Sequence, residues 1–343
     1  MAEPKVSVCI PTFNKSRFLR ESIQSVLSQS FADFELAVID DASTDDSPEV
    51  VASFQDRRIR YLRHERNIGL QANFNECLRT GQCEFIVIFH DDDVMLGDLL
   101  GREFEVLKSA EEVVLVHCAA QLVDEDGMVY SVPPQKWPSL TQGLDFVRRY
   151  WGSRDCGVAM PSVMLRRSVA LRLGGFNEDL KYSLDADLWQ RMAFEGKVAF
   201  VDEILLSNRI HSGQTTSRIL KDRLQMLVER HKYAMATREL VARHHANIDS
   251  TIQRQLTVQV AADLTDLRSL GEPLGAIFRY LIEAVRRRPR SLLSLRLYGY
   301  LLLACMPSKV VKALKRLHGK RLRRTYLESH CGMDCETTPR GIS

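Results

Sequence analysis

Residues 85–96 read FIVIFHDDDVML. Five largely apolar residues, Phe85 to Phe89, run straight into His90 and then into Asp91, Asp92 and Asp93. A short apolar run of this kind reads as a buried strand, so the three acids stand at its carboxyl end. Adjacent like charges repel, and solvating them at a strand end gains no stability. The arrangement makes sense if something positive is meant to sit there.

Working outward, the same unit recurs. "KVSVCIP" (Lys5–Pro11) is a short apolar run rich in β-branched residues and reads as a strand. "RFLRESIQSVLSQS" follows, with Phe18, Leu19, Ile23, Val26 and Leu27 at helical spacing. "FELAVID" is a second strand. Ser47 is expected to cap the next helix, with Pro48 at its first position. "IRYLR" is a third strand, and "LQANFNECLRTG" a helix ended by Gly81. After the fourth strand, a helix over Asp98–Ala110 leads to "EVVLVHCAA", a fifth. Alternation of this kind predicts an α/β fold, with a mostly parallel sheet covered by helices on both faces. Right-handed crossovers then gather the strands' carboxyl ends along one edge, where such sheets bind ligands. Three polar clusters stand there: "PTFN", "DDAST" and "HDDD".

After Leu122 the pattern changes. "VDEDGMVY" reads as a hairpin turning at Asp126-Gly127. A loop rich in Pro and Trp follows, then "SVMLRR", "LGGFNEDL", the helix "DADLWQRMAFEG" and the strand-like "EILLSNRI" running into "HSGQTT". From Ser217 onward the pattern is nearly all helical.

A hard divalent cation such as Mg2+ or Mn2+ takes carboxylate oxygens and leaves positions open for phosphate oxygens. An aspartate–metal–diphosphate bridge would let an acidic region bind an anionic nucleotide. The plain alternative is a solvated loop with helix-capping aspartates.

"VSVCIPTFNKSRFLRESIQSVLSQSFADFELAVIDDASTDDSPEVV", "NIGLQANFNECLRTGQCEFIVIFHDDD", "GGFNEDL" and "LDADLWQRM" together resemble the family 2 glycosyltransferases. The resemblance covers roughly residues 5–212. It implies a GT-A fold, a nucleotide-sugar donor (UDP-, GDP- or dTDP-linked), inversion at the anomeric carbon and a divalent metal. Carried over position by position, Pro11, Thr12 and Asn14 match residues lining the nucleoside, and Asp41 the residue that bonds the base. Asp40 beside it supports the turn. The family's Asp-x-Asp-Asp motif stands here as His90-Asp91-Asp92-Asp93, with His90 in place of the first acid. Asp92 matches the main metal ligand, Asp91 lines the donor ribose or sugar, and Asp93 and His211 complete the expected metal set.

Transfer with inversion needs a group that takes the proton from the acceptor hydroxyl. The family's Glu-Asp pair reads "LDADLW" here. Leu184 replaces the Glu, and Asp185 matches the base. Asp185 and Asp187 also fall at a helix start, where the helix dipole favours an ionised carboxylate, so capping is the bland alternative. Asp187, Glu178 and Trp151 are expected on the acceptor side, with Trp137 a further stacking candidate and Trp189 in the core.

Charge is unevenly spread. Residues 1–283 carry a net charge of −8 and residues 284–343 a net charge of +11. Between Ala284 and Leu327 there are thirteen Lys/Arg and no acid. Val310, Leu314 and Leu317 fall on one side of a basic helical stretch, which suits either an anionic membrane surface or packing on the catalytic domain. No interleaved aromatics support nucleic-acid binding. The expected organisation is a catalytic domain over 1–216, a helical region over 217–330 and a disordered tail over 331–343. "MAEPKVSVCIP" enters a strand directly, and the eight cysteines are scattered, so a cytoplasmic, reducing setting is expected, peripheral on the membrane's inner face.

These readings favour a metal-dependent inverting glycosyltransferase that builds cell-surface glycan on a saccharide or lipid-linked acceptor. The alternatives are a nucleotidyltransferase, or a membrane-associated nucleotide-sugar-binding scaffold whose site has decayed. No glycine- and arginine-rich loop follows the first strand, against the former; His90 and Leu184 in place of acids support the latter. No Gln-x-x-Arg-Trp motif is present, which points to a single addition per acceptor.

Overall fold

The computed structural model describes residues 3–133, 137–152, 158–211, 213–214, 223–270 and 273–287. The chain divides into two compact units, Met1–Gln255 and Leu256–Ser343. The expected change of organisation at residue 217, and the expected tail over 331–343, lie outside the described residues.

The first unit opens with three strand–helix repeats: β1 (Val6–Thr12), α1 (Ser16–Leu27), β2 (Phe34–Asp40), α2 (Ser47–Ala52), β3 (Ile59–Arg63) and α3 (Leu70–Thr80). β4 (Phe85–Ile88) follows, then β5 (Val94–Met95) and α4 (Leu99–Ser109). All seven residues of β1 and all seven of β2 are buried, as continuous apolar runs demand of strands covered on both faces. α1 turns Leu19, Ile23 and Val26 into the same core and Phe18 toward the crevice. β3 is the sheet edge; it exposes Tyr61 and Leu62 between Arg60 and Arg63, whose charges discourage further strand addition.

β1 pairs in parallel with β2 on one side and β4 on the other, giving the order β3-β2-β1-β4. The chain therefore reverses its direction of winding at β1. Loops leaving the carboxyl ends of β1 and β4 part there and open a crevice between them.

Beyond β4 the sheet departs from the simple parallel expectation. β6 (Val113–Val123) does not pair with β4. β9 (Val163–Arg166) lies between them, antiparallel to both. Its Val163, Met164 and Leu165 are buried, and Arg166 donates to the carbonyls of Leu107 and Ala110 at the end of α4 and of Val113 at the start of β6. A four-residue apolar run carries too little pattern to show its partners. β10 (Lys197–Arg209) is longer than "EILLSNRI" suggested and runs parallel to β6, with bulges between Val201 and Leu206. Its far end meets β5 antiparallel, Ser207 opposite Val94. The hairpin expected at Asp126-Gly127 is present: β7 (Val129–Ser131) pairs with β6, and Gly127 takes a φ of 82°. β8 (Leu140–Gln142) pairs with β10 and leads into α5 (Gly143–Gly152). A single 3-10 turn precedes β9, and α6 (Arg167–Arg172) and α7 (Leu184–Ala193) complete this part.

α8 (Arg223–Arg243) is fastened to α7. Gln190 bonds the Tyr233 hydroxyl and accepts from Thr237 Oγ1 at 3.1 Å, and Trp151 stacks on Tyr233 with ring centres 4.9 Å apart. α9 spans Asp249–Leu270. In the second unit α10 (Leu274–Arg287) buries Ile277, Tyr280 and Ala284 and exposes Phe278 and Ile282. Among the described residues no helix is long and apolar enough to cross a membrane.

Two local expectations change. α2 begins at Ser47 itself, so its N-cap is Asp46, which makes no side-chain capping bond; Asp45, one residue earlier, accepts from Ser47 N at 3.1 Å and Ser47 Oγ at 2.6 Å. Gly81 ends α3 with an ordinary φ of −56°, so it is not a left-handed cap. It is small for want of room: a Cβ there would lie 2.8 Å from Ile86 Cδ1 and 3.2 Å from Ser7 Cβ.

The turn after β2 stores strain. Ala42 has a φ of 62°, in the left-handed region that disfavours any residue with a Cβ. Ala42→Gly is expected to stabilise the protein by about 0.5–1 kcal/mol, the relief of that strain exceeding the extra chain entropy of glycine. A thermal melt or urea titration checks this; a lower midpoint would contradict it.

Candidate active site

The crevice at the winding reversal has a volume of about 900 Å³, within the usual range for small-molecule sites. Its floor comes from strand ends. Thr12, Asn14 and Lys15 follow β1, Asp41 follows β2, and Asp91 and Asp92 follow β4. His211 follows β10, and Asp185 enters from the first turn of α7.

The three acids have separate surroundings. Asp93 is fully buried. Its Oδ1 accepts the Arg209 N–H at 2.8 Å, its Oδ2 accepts from Asn208 Nδ2 at 3.3 Å, and His90 Nδ1 lies 3.4 Å away. Burial pushes its carboxyl up, against the hydrogen bond from His90. Asp92 faces the crevice, and its Oδ2 lies 2.8 Å from Lys15 Nζ and 2.9 Å from His211 Nε2. Burial would raise it, but Lys15 and the neighbouring histidines hold it below the usual carboxylate range. Asp91 has no such cation to itself. Burial first, and the Asp92 charge second, push it up to about 7.

The turn that carries these acids is braced from both sides. Ser22 Oγ donates to the His90 carbonyl at 2.7 Å. The buried Arg209 guanidinium donates to the Asp92 carbonyl (2.9 Å), to the Glu125 carbonyl (2.9 Å) and to Glu21 Oε2 (2.6 Å). Phe18 packs beneath both Arg209 and His211.

His90, Asp92 and Asp93 have ligand atoms within 4.8 Å of one another, close enough to hold a metal ion. Carboxylate oxygens suit a hard divalent cation, and a cationic side chain already rests against Asp92. These residues therefore fit the expected metal.

At the other end of the crevice, both Asp41 oxygens accept backbone N–H groups, from Ile68 (2.7 Å) and Gly69 (3.0 Å). Asn14 holds a φ of 54° and braces the turn after β2, accepting from Thr44 N at 2.7 Å. Asn73, from α3, donates to the Ile39 carbonyl at 3.1 Å. Its Oδ1 is buried without a hydrogen-bond partner, an open acceptor on a residue that lines the crevice. Asp40 is fully buried and accepts from Ser43 N (2.8 Å) and the Tyr61 hydroxyl (2.5 Å), the turn-supporting part expected of it.

A model of the family described as "Glycosyl transferase family 2" matches residues 7–172. An uncharacterized protein of Mycobacterium tuberculosis, MT1568, is 30% identical over 239 residues, covering 66% of this chain and 73% of that protein. The chain belongs to glycosyl transferase family 2. Among solved structures, residues 1–349 of Staphylococcus aureus TarS, crystallised with UDP-GlcNAc, superpose with a TM-score of 0.54 at 17% identity, over 82% of this chain and 89% of that one. The mannosyltransferase PcManGT of Pyrobaculum calidifontis, in complex with GDP-Man and Mn2+, gives 0.52 at 16% identity, over 89% and 86%. At these identities the likeness shows the fold, the GT-A type that the motifs implied.

In this glycosyltransferase, Pro11, Thr12, Asn14, Asp41, Asp91, Asp92, Asp185 and His211 meet in one crevice although they are spread over 200 positions of sequence. Three residues expected on the acceptor side lie elsewhere. Asp187 turns away and pairs with Arg191 at 2.8 Å, which in turn donates to the Leu173 and Gly175 carbonyls. Trp151 is buried against Tyr233, and Trp137 packs on Phe146, so neither offers a free face. Glu178 is exposed beside the loop and accepts from Asn75 Nδ2 at 2.8 Å. Helix spacing explains Asp187: two residues beyond Asp185 is about 200° around α7, the opposite side. Trp189 is core, as expected, at 1% exposure.

Lys15, Asn73 and Arg209 were not singled out from the sequence. A lysine next to "PTFN" looks like an ordinary solvated charge, and an arginine at a strand end looks like surface. Only the pairing of β5 with β10 brings Arg209 under the acidic turn.

Asp91 makes stability depend on pH. Its folded pKa, about 7, lies above the unfolded value, so the native state keeps a proton that the unfolded chain releases. Its contribution is favourable at acidic pH and is lost as pH rises through 7. In metal-free protein, Asp91→Asn is therefore expected to gain thermal stability over the wild type between pH 5 and pH 8. Melts at both pH values in EDTA test this, and a constant difference would contradict it.

Proposed function

We propose that this glycosyltransferase moves a sugar, with inversion, from a nucleoside-diphosphate donor to a hydroxyl of a saccharide or lipid-linked acceptor in cell-surface glycan assembly. The observation that carries the reading is that Asp185 and Asp92 face one crevice, a carboxylate for the acceptor and a metal-competent carboxylate for the donor. The complexes of TarS with UDP-GlcNAc and of PcManGT with GDP-Man support a UDP- or GDP-linked donor.

Asp41 and the open Asn73 carbonyl hold the nucleoside, and Thr12 and Asn14 line its path toward the acids. Asp92, with His211 or the His90–Asp93 pair, would hold a divalent cation, Mg2+ or Mn2+, which would supply charge to offset that of the leaving diphosphate. The bond between the anomeric carbon and the diphosphate oxygen breaks as the acceptor oxygen bonds the carbon from the opposite face. Asp185 takes the proton from that oxygen. Burial pushes the Asp185 carboxyl above the usual range, against the Ala186 N–H bond that favours the ion. A raised pKa makes its carboxylate a stronger base. Turnover is accordingly expected to fall on the acid side at a pH above the ordinary carboxylate range.

Asp185→Asn keeps the size and the capping ability but cannot accept the proton. It is expected to lower kcat by about 10²–10⁴ with little change in donor affinity, because the donor contacts come from other strand ends. Donor-hydrolysis and transfer assays over UDP-, GDP- and dTDP-sugars, with calorimetry of the diphosphate, measure both quantities. A variant keeping more than about a tenth of wild-type turnover contradicts the base role. Release of pyrophosphate instead of a nucleoside diphosphate would favour nucleotidyl transfer.

The acid-free stretch from Ala284 to Leu327 supports a peripheral seat on an anionic membrane surface at the cytoplasmic face. Deleting residues 290–343 is expected to spare donor hydrolysis and abolish salt-sensitive flotation with anionic liposomes. Full-length protein that ignores such liposomes at low salt would overturn this.

A further inference from the structure

Lys15 occupies the place where the acidic turn most needs positive charge. Its Nζ lies 2.8 Å from Asp92 Oδ2 and 3.3 Å from His211 Nε2, and those two atoms are 2.9 Å apart. The three groups close a triangle. His211 Nδ1 accepts the Gly213 N–H at 3.2 Å, which turns Nε2 toward Asp92. The crevice-facing groups that would take a metal are thus held by an ammonium and by each other.

A divalent ion of Mg2+ size bonds oxygen at about 2.0–2.1 Å. It would then stand within a few ångströms of the Lys15 ammonium on the same oxygen, and two cations that close repel. The metal enters only if Lys15 leaves. Lys15 can leave at little structural cost. It precedes α1 and makes no side-chain capping bond, its side chain is 19% exposed, and its stem is long and flexible. Among the described residues its one ion pair is with Asp92. An incoming diphosphate offers a second anion on the same floor of the crevice.

We propose that Lys15 is an exchange cation: it neutralises Asp92 while the crevice is empty, and passes to the donor's diphosphate as the metal takes Asp92. This rests on the donor reading above. Metal and nucleotide then bind as a linked pair, each clearing the way for the other. Neither a metal without nucleotide nor a nucleotide without metal fully satisfies the three charges.

The test is a Mn2+ titration of the full chain, followed by the electron paramagnetic resonance of free Mn2+, without nucleotide and with UDP or GDP. Wild type is expected to bind Mn2+ weakly alone and much more tightly with a diphosphate. Lys15→Met should bind Mn2+ alone about tenfold or more tighter than wild type, and its linkage to nucleotide should shrink by a similar factor. Lys15→Arg, which keeps the cation, should resemble wild type. Lys15→Gln is measured alongside, so that misfolding of one neutral variant does not decide the result. Unchanged Mn2+ affinity in the neutral variants, with nucleotide binding intact in wild type, overturns the exchange alone. Wild type that binds neither diphosphate in the presence of Mn2+ overturns the donor reading and the exchange together.

Discussion

Three consecutive carboxylates are buried at the end of β4, and the surrounding structure is arranged to make that tolerable. Buried charge without a partner costs far more than a typical domain can spare. Each acid is accommodated differently. Asp93 is bonded by the backbone and Asn208 of the neighbouring β10. Asp92 is matched by Lys15 and His211. Asp91 is left with neither, and its carboxyl shifts toward the neutral form. Asp93 is thus tied into the sheet, Asp92 is ion-paired, and Asp91 is kept near its titration point.

That arrangement depends on elements far apart in sequence. The two residues of β5 attach the turn to the far end of β10, which puts the Arg209 N–H against Asp93 and the Arg209 side chain against the Asp92 carbonyl. α1 contributes Ser22 and Glu21 from the other side. The acidic turn is therefore held by β10 and α1 together, and β1 and α1 also set the position of Lys15. Rigidity here suits the proposed metal site, because such a site tolerates little drift in its ligands.

The side of the crevice around Asp185 is built differently. Asp185 rides on α7, whose opposite face is tied down by the Asp187–Arg191 pair and the loop carbonyls beyond it. α8 closes over the same helix through Gln190, Thr237 and Tyr233, and contributes Met226 and Glu229 to the crevice wall. Glu229 also accepts the Lys181 N–H at 3.2 Å, just ahead of α7. The helix that follows the recognisable motifs thus shapes the crevice wall facing Asp185.

The sequence alone determined the repeating strand–helix order, the burial of β1 and β2, and the polar clusters at strand ends, because period and composition are local properties that a chain carries in any context. It also singled out Asp92, Asp41 and Asp185 through their motifs. Tertiary structure decided what local pattern cannot encode: the insertion of β9 between β4 and β6, the inward turn of Asp93, and the withdrawal of Asp187, Glu178 and Trp151 from the crevice. It also decided the meeting of Lys15 with Asp92 and His211 across nearly 200 residues. The physical reason is that the partner of a charge is chosen by strand pairing and helix docking, and those contacts join segments whose sequences bear no mark of one another.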